Sequence, residues 1–286
     1  MTIDFDAIQA ELPPLPEEIK MVVSDMDGTI LTPNRELTSA TLQMAKVLKE
    51  RSVPLCLVSA RPPEAMIEYI KKLEISGDNA ALNGGIIFSQ VNMSSSLNHV
   101  LSKETLSIIY DMLHAHGIEI WMYRQSSWIV ADLASPFVEQ ERRKTGLTPH
   151  QVKDLRQEIT NIGKVVGVSN DFDLLQRVET ELSVVLKKEA SVHRSSDILL
   201  GITPALANKG EAVRMLAHSY GVELQNVACL GDAHNDLPMF SVCGLKIVMG
   251  QADDDVKAAA QVQTDTNEHD GWAKAVEHYV LPRIAN

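Results

Sequence analysis

Basic residues are in short supply in this sequence: 26 Lys and Arg stand against 38 Asp and Glu, a formal net charge of −12. A strongly acidic surface is not drawn to a nucleic-acid backbone or an anionic membrane, so neither is expected as a partner. Cysteine is scarce too. Cys56, Cys229 and Cys243 lie far apart, without metal-ligand spacing, and the first two sit in apolar runs that mark them as small buried hydrophobes. An odd, sparse set excludes a disulfide scaffold and fits a reducing cytoplasm. No run approaches the roughly 20 apolar residues of a membrane helix. Met1 to Lys20 carries five acids and no apolar stretch of the kind a secretory signal needs, so none is expected. Internal repeats and low-complexity tracts are missing as well.

What is present is an ordinary globular composition, 45% hydrophobic and 22% charged, over 286 residues. At about 150 residues per domain, that length suggests two domains. Most of the excess acid falls outside residues 88–201.

The chain starts with a polyproline-like lead-in, Leu12-Pro13-Pro14-Leu15-Pro16. Ile19 to Ser24 is then a short apolar run that stops at Asp25-Met26-Asp27-Gly28-Thr29, the pattern of a buried parallel strand ending in a turn. Thr38 to Arg51 reads as a helix, with Leu42, Ala45 and Leu48 on one face. Val53 to Val58 reads as a second strand, ending in Ser59-Ala60-Arg61, and Glu64 to Leu73 as another helix leading to the turn Asn83-Gly84-Gly85. Such alternation indicates βαβ units. From about residue 88 the texture changes to half-exposed strands such as Glu119 to Tyr123 and Trp128 to Ala131. Near Gly201 the βαβ texture returns: Lys209 to Tyr220 reads as a helix, and Val227 to Leu230 as a strand that ends in Gly231-Asp232-Ala233-His234-Asn235-Asp236.

In open parallel α/β sheets, ligands bind beyond the carboxyl ends of the strands. Asp25 and Asp27, Ser59, and Asp232 and Asp236 all fall at such ends, although long stretches of chain separate them. Two carboxylates as close as Asp25 and Asp27 resist ionising together, so a cation or a shared proton is needed. Magnesium is the natural cation, since it takes oxygen ligands from one or two carboxylates plus a substrate phosphate. Asn235 offers an amide to a phosphate oxygen. Ser59, by itself, is a strand-end hydroxyl of the kind that caps helices, and Lys209 by itself a solvated charge. His234 is read as an ordinary loop residue, because imidazole suits zinc better than magnesium.

Taken in order, Asp25-Met26-Asp27-Gly28-Thr29, Ser59, Lys209 and Gly231-Asp232-Ala233-His234-Asn235-Asp236 resemble the haloacid dehalogenase-like superfamily of phosphohydrolases. The Asn83-Gly84-Gly85 turn, the insert between Ser59 and Lys209, and Gly271 after an acidic stretch resemble its Cof-type branch. The resemblance runs from residue 19 to the C-terminus. It implies an α/β fold: a Rossmann-like parallel-sheet core, residues 19–87 and 202–286, with an inserted α/β cap domain, residues 88–201, behind an N-terminal extension, residues 1–18.

It also implies roles. Asp25 is the expected nucleophile and Asp27 the general acid and then base, with Ser59, Lys209 and Asn235 holding the substrate phosphate. Magnesium would be held by Asp25, the Asp27 main-chain carbonyl and Asp232, with Asp236 supporting the metal or Lys209. The implied activity is hydrolysis of a small phosphorylated metabolite, such as a sugar phosphate or a phosphorylated cofactor, through an aspartyl-phosphate. A phosphotransferase or mutase using the same intermediate is the alternative within enzymes. A non-catalytic phospho-ligand-binding protein is the alternative outside them, although a pure binder needs no nucleophile with its own acid. Three positions depart from the pattern of the family: Ala60 replaces a glycine, Gln251 an asparagine and Gly201 an acid. Within the insert, Trp121, Tyr123, Arg124, His193 and Arg194 are the residues considered for substrate selection.

Overall fold

The computed structural model describes residues 12–89, 95–97, 99–124 and 127–285. Residues 1–11, most of the expected N-terminal extension, lie outside them. Of that extension, the Pro13 and Pro14 carbonyls accept from Gln261 Nε2 at 2.9 and 3.4 Å.

Five strands form an all-parallel sheet in the order β14-β13-β12-β1-β2. They are β1 (Met21–Ser24), β2 (Leu55–Leu57), β12 (Val227–Gly231), β13 (Leu245–Val248) and β14 (Val262–Gln263). Every residue of β1, β2 and β12 is buried, which is why the sequence there is continuously apolar rather than alternating. β1 and β12 run side by side, with Met21 opposite Val227 and Ser24 opposite Leu230. The loops after these two strands therefore leave the same edge of the sheet together, although some two hundred residues separate them.

Helices α1 (Ser39–Glu50) and α2 (Ile67–Lys72) belong to the first half of this layer, and α6 (Lys209–Tyr220) opens the second. Both α1 and α6 start at a side-chain cap. Thr38 Oγ1 accepts from the Thr41 amide at 3.1 Å, and Asn208 Oδ1 from the Glu211 amide at 3.0 Å. Strands β3 (Asp78–Ala81), β4 (Ile86–Ser89) and β5 (Ser95–Leu97) make a small antiparallel sheet beside the first.

A second large sheet has six strands in the order β10-β11-β9-β6-β7-β8. It comprises β6 (Glu119–Arg124), β7 (Ser127–Val130), β8 (His150–Gln151), β9 (Lys164–Val168), β10 (Ala190–Ser196) and β11 (Leu199–Pro204), antiparallel except for the β7–β8 pair. Period-two alternation sorts its two faces. Ile120, Met122, Val165 and Ile202 pack with Leu106, Ile109 and Leu113 of α3 (Lys103–Ala115) and with Leu175, Val178 and Leu182 of α5 (Phe172–Leu186). Trp121, Tyr123, Val166 and Val168 join the apolar cluster of the parallel layer instead. This second sheet thus lies over the first, its other face closed by helices. Among the described residues, no helix is long and apolar enough to cross a membrane.

Candidate active site

Asp25 is the first residue past β1, and its amide still donates to the Leu230 carbonyl of β12 at 2.9 Å. Beneath it, Trp272 Nε1 donates to Ser24 Oγ at 3.0 Å, and Ser24 Oγ donates to the Asp25 carbonyl at 2.7 Å. The chain then turns at Gly28, whose φ of 82° lies in the left-handed region. A Cβ at this position would also fall 2.7 Å from Asp232 Cγ, so the glycine both makes the turn and admits the second acidic loop. Thr29 Oγ1 donates to Asp232 Oδ1 at 2.8 Å, tying the two strand ends directly.

Lys209 is the first residue of α6 and is 1% exposed. Gly210 beside it allows the helix start to approach the Pro238 carbonyl, where a Cβ would sit 2.5 Å away. The ammonium donates to Asp25 Oδ1 at 2.5 Å and to Asp236 Oδ1 at 2.6 Å. Asp236, fully buried, uses its other oxygen to accept from the amides of Asp232 at 2.8 Å and Ala233 at 2.9 Å. Its hydrogen bonding is therefore committed to holding Lys209 and the loop.

One oxygen each from Asp25, Asp232 and Asp236 lie within 4.8 Å of one another. Burial drives the Asp25 carboxyl well above the ordinary range, and Asp236 and Asp232 push the same way, against the pull of Lys209. Asp232 is raised to about 6, first by burial and then by repulsion from Asp236, with Thr29 opposing. Lys209 is raised despite its burial, because Asp236 and Asp25 flank it. Three carboxyls, two of them buried, thus face one ammonium, and with all three ionised two negative charges are left uncompensated. An all-oxygen donor set with that excess fits a divalent hard cation.

Asp27 stands apart from this group. Its side chain is half exposed, and Arg61 grips it with two bonds, Nε to Oδ2 at 2.7 Å and Nη2 to Oδ1 at 2.5 Å. Partial burial raises its pKa, but the Arg61 guanidinium outweighs this and holds the carboxyl below the usual carboxylate range. Held this way, Asp27 is ionised and can only accept. Arg61 also lies over the Tyr69 ring, 5.2 Å from its centroid.

Ser59, 1% exposed, ends the second strand run; its hydroxyl accepts from the Arg61 amide at 3.2 Å. Asn235 is exposed, its Nδ2 3.5 Å from Oδ1 of Asn83, which has a φ of 56°. Asn83 faces the site, although the sequence marked it only as part of a turn. His234 is exposed and bonds Asp255 at 2.6 Å. Gln251, one of the three departures, donates to the Gly28 carbonyl at 2.6 Å and accepts from the Asn267 amide at 3.1 Å, so it braces the first acidic turn.

Asp25, Asp27, Ser59, Lys209 and Asn235 all line one cavity of about 1500 Å³ between the two large sheets. Trp121, Tyr123, His193 and Arg194 line it from the second sheet, with Arg194 paired to Glu179 at 2.8 Å. Arg124 does not: it is tied to Glu158 and to the Thr160 carbonyl. Lys164, which nothing in the sequence singles out, does.

Residues 22–276 match the family described as haloacid dehalogenase-like hydrolases, and the chain belongs to that family. A putative phosphatase of Haemophilus influenzae is 29% identical over 262 residues, covering 90% of this chain and 97% of its own. A pyridoxal phosphate phosphatase of Escherichia coli is 24% identical, covering 92% and 99%. The crystal structure of a haloacid dehalogenase-like hydrolase from Bacteroides thetaiotaomicron superposes with a TM-score of 0.82 at 28% identity, over 91% of this chain and 99% of that one. The protein is an enzyme, a phosphatase of this family.

Proposed function

We propose that this phosphatase is a magnesium-dependent phosphomonoester hydrolase working through an aspartyl-phosphate on Asp25. Residues 19–87 and 202–286 are its catalytic core and 88–201 its cap, with 1–18 an extension and the cytoplasm its compartment. One observation carries the reading: Asp25, Asp232 and Asp236 converge beside a single ammonium, Lys209, so that with all three ionised the group is short of two positive charges. Asp25 and Asp232 would hold the ion, together with the Asp27 main-chain carbonyl. Bound there, magnesium supplies neutralisation of the phosphoryl oxygens.

The side chains do the rest. Lys209 and Ser59 orient the phosphoryl group, with Asn235 at its open side, so that an Asp25 oxygen lies in line with the ester bond. Attack by that oxygen forms an Asp25–phosphorus bond and breaks the bond to the substrate alcohol, which takes a proton from Asp27. Water then attacks phosphorus, gives its proton to Asp27 and frees Asp25, releasing phosphate. For the first step Arg61 must let go of Asp27, since the paired carboxylate has no proton to give.

The substrate is a small phosphorylated metabolite. Relatives named as phosphatases for pyridoxal phosphate and for 5-amino-6-(5-phospho-D-ribitylamino)uracil support this class. The direct test is phosphate release from p-nitrophenyl phosphate with magnesium, with EDTA, and across a panel of phosphorylated metabolites. Persistence of full turnover after EDTA would remove the metal from the mechanism.

Asp27→Asn separates its role from that of Asp25. The variant should lose roughly 10²–10⁴-fold in kcat/KM on an alkyl phosphate, the usual worth of a positioned acid and base. The loss should be smaller on p-nitrophenyl phosphate, because p-nitrophenolate leaves without a proton. Equal losses on both substrates would deny Asp27 the acid role.

The carboxyl shifts give a second expectation. Asp232 keeps a proton up to about pH 6 in the folded protein, whereas an unfolded aspartate loses it near pH 3.9. Between these values the folded state binds more protons, so this group's contribution to stability falls as pH rises. Asp25 is shifted in the same direction. Magnesium should therefore raise the melting temperature more at pH 7.5 than at pH 5, where protons occupy its ligands. A gain that is equal or larger at pH 5 would contradict this ligand set.

A further inference from the structure

Lys164, in the roof of the cavity, has no ion pair among the described residues. Lys164 begins β9, directly opposite Tyr123 of β6, on the face of the second sheet that looks toward the parallel layer. Its ammonium reaches across to the other layer, where the Ala60 carbonyl accepts from it at 3.4 Å. The Tyr123 ring lies 6.0 Å away. Glu141 is near enough to be felt, but Lys164 has no ion pair among the described residues. Burial lowers its pKa, against the pull of Glu141, so the charge is held at a cost.

Gly201 of β11 sets no side chain beside Lys164. A Cβ there would lie 3.5 Å from Lys164 Cε and 3.4 Å from the His193 carbonyl, ordinary contacts, so a side chain would fit and none is present. Ala60 follows Ser59 in the chain, and consecutive Cα atoms are about 3.8 Å apart. Lys164 therefore stands beside the seat of the phosphoryl group rather than in it. It faces the cavity side, where the rest of a substrate must lie.

We propose that Lys164 is a specificity-determining residue that binds a second anionic group, a carboxylate or a further phosphate, on the part of the substrate released as the alcohol. A half-buried cation with one long bond to a neutral carbonyl is incomplete, and an anion supplies the charge-assisted partner it lacks. Trp121 and Tyr123 beside it wall the same space with aromatic surface.

This inference rests on the phosphomonoester reading above, and its test uses paired substrates. 3-Phosphoglycerate is compared with glycerol 3-phosphate, which has a hydroxymethyl group in place of the carboxylate. Fructose 1,6-bisphosphate is compared with fructose 6-phosphate for a second phosphate. The wild-type enzyme should prefer the extra anion in at least one pair. That preference, a ratio of kcat/KM values, should drop at least tenfold in Lys164→Gln and recover in Lys164→Arg. Gly201→Glu keeps the lysine but sets a carboxylate beside it, and should cost the same ratio through a different fold perturbation. If Lys164 only struts the two layers together, Lys164→Gln lowers both members of a pair alike; an unchanged ratio in both variants overturns the proposal. A wild-type enzyme that hydrolyses both members without preference overturns it alone. One that hydrolyses no phosphomonoester overturns the parent reading and this with it.

Discussion

Asp25→Asn should abolish hydrolysis of p-nitrophenyl phosphate, a fall on the order of 10⁴-fold or more, while leaving the protein folded. The amide has the shape of the carboxylate but no nucleophilic oxygen, so the first bond to phosphorus does not form. Stability should move the other way from activity. Burial and two acidic neighbours push the Asp25 carboxyl upward, so an uncharged amide there relieves repulsion that the folded state carries. Its bond from Lys209 survives through the amide oxygen. Phosphate release and a thermal melt, both in magnesium, check the two halves. Wild-type turnover in this variant would dismiss Asp25 as the nucleophile, and a collapsed melt would make the activity loss uninformative about it.

Lys209→Met should fail on both counts. The methionine fills similar space but leaves Asp25 and Asp236 buried without their shared cation. Breaking a buried ion pair from one side costs about 3–5 kcal/mol, which in a chain of this size lowers the melting temperature by roughly 10 °C. Turnover should fall by about 10³-fold from the lost stabilisation of phosphoryl charge. Asp236→Asn in the same protein should restore part of the stability and none of the turnover, because it removes one orphaned charge without replacing the ammonium. A melt that shifts by less than 2 °C in Lys209→Met alone would mean that the pair is not what holds this site together.

Three strands of the parallel layer, β1, β2 and β12, were legible because each ends abruptly in a polar cluster, whereas β13 and β14 were not singled out. Val22-Val23-Ser24 before Asp25 and Ala228-Cys229-Leu230 before Asp232 signal both the strand and the place where it stops. The adjacency of β1 and β12 then brings Asp25, Asp232, Asp236 and Lys209 together. What was not legible depends on side-chain direction. Arg61 follows a strand and precedes Pro62, and nothing in that spacing says that its guanidinium folds back onto Asp27. Lys164 looks like one more charge at the start of a strand. Its place over Ala60 follows from how two sheets approach each other, which no local pattern encodes. Arg124 and Tyr123 are neighbours on one strand, and alternation sends only Tyr123 toward the cavity. Asn83 was read as turn chemistry, and its left-handed backbone accounts for that, but the same conformation brings its amide to Asn235.

The hydrogen-bonded relay from Trp272 through Ser24 to the Asp25 carbonyl also has a temporal meaning. Asp25 is made well before its indole support, Trp272, and the second sheet lies between them along the chain. During synthesis β1 must wait for β12, and Ser24 for the Trp272 indole, before the backbone around Asp25 has all the partners it has in the finished fold.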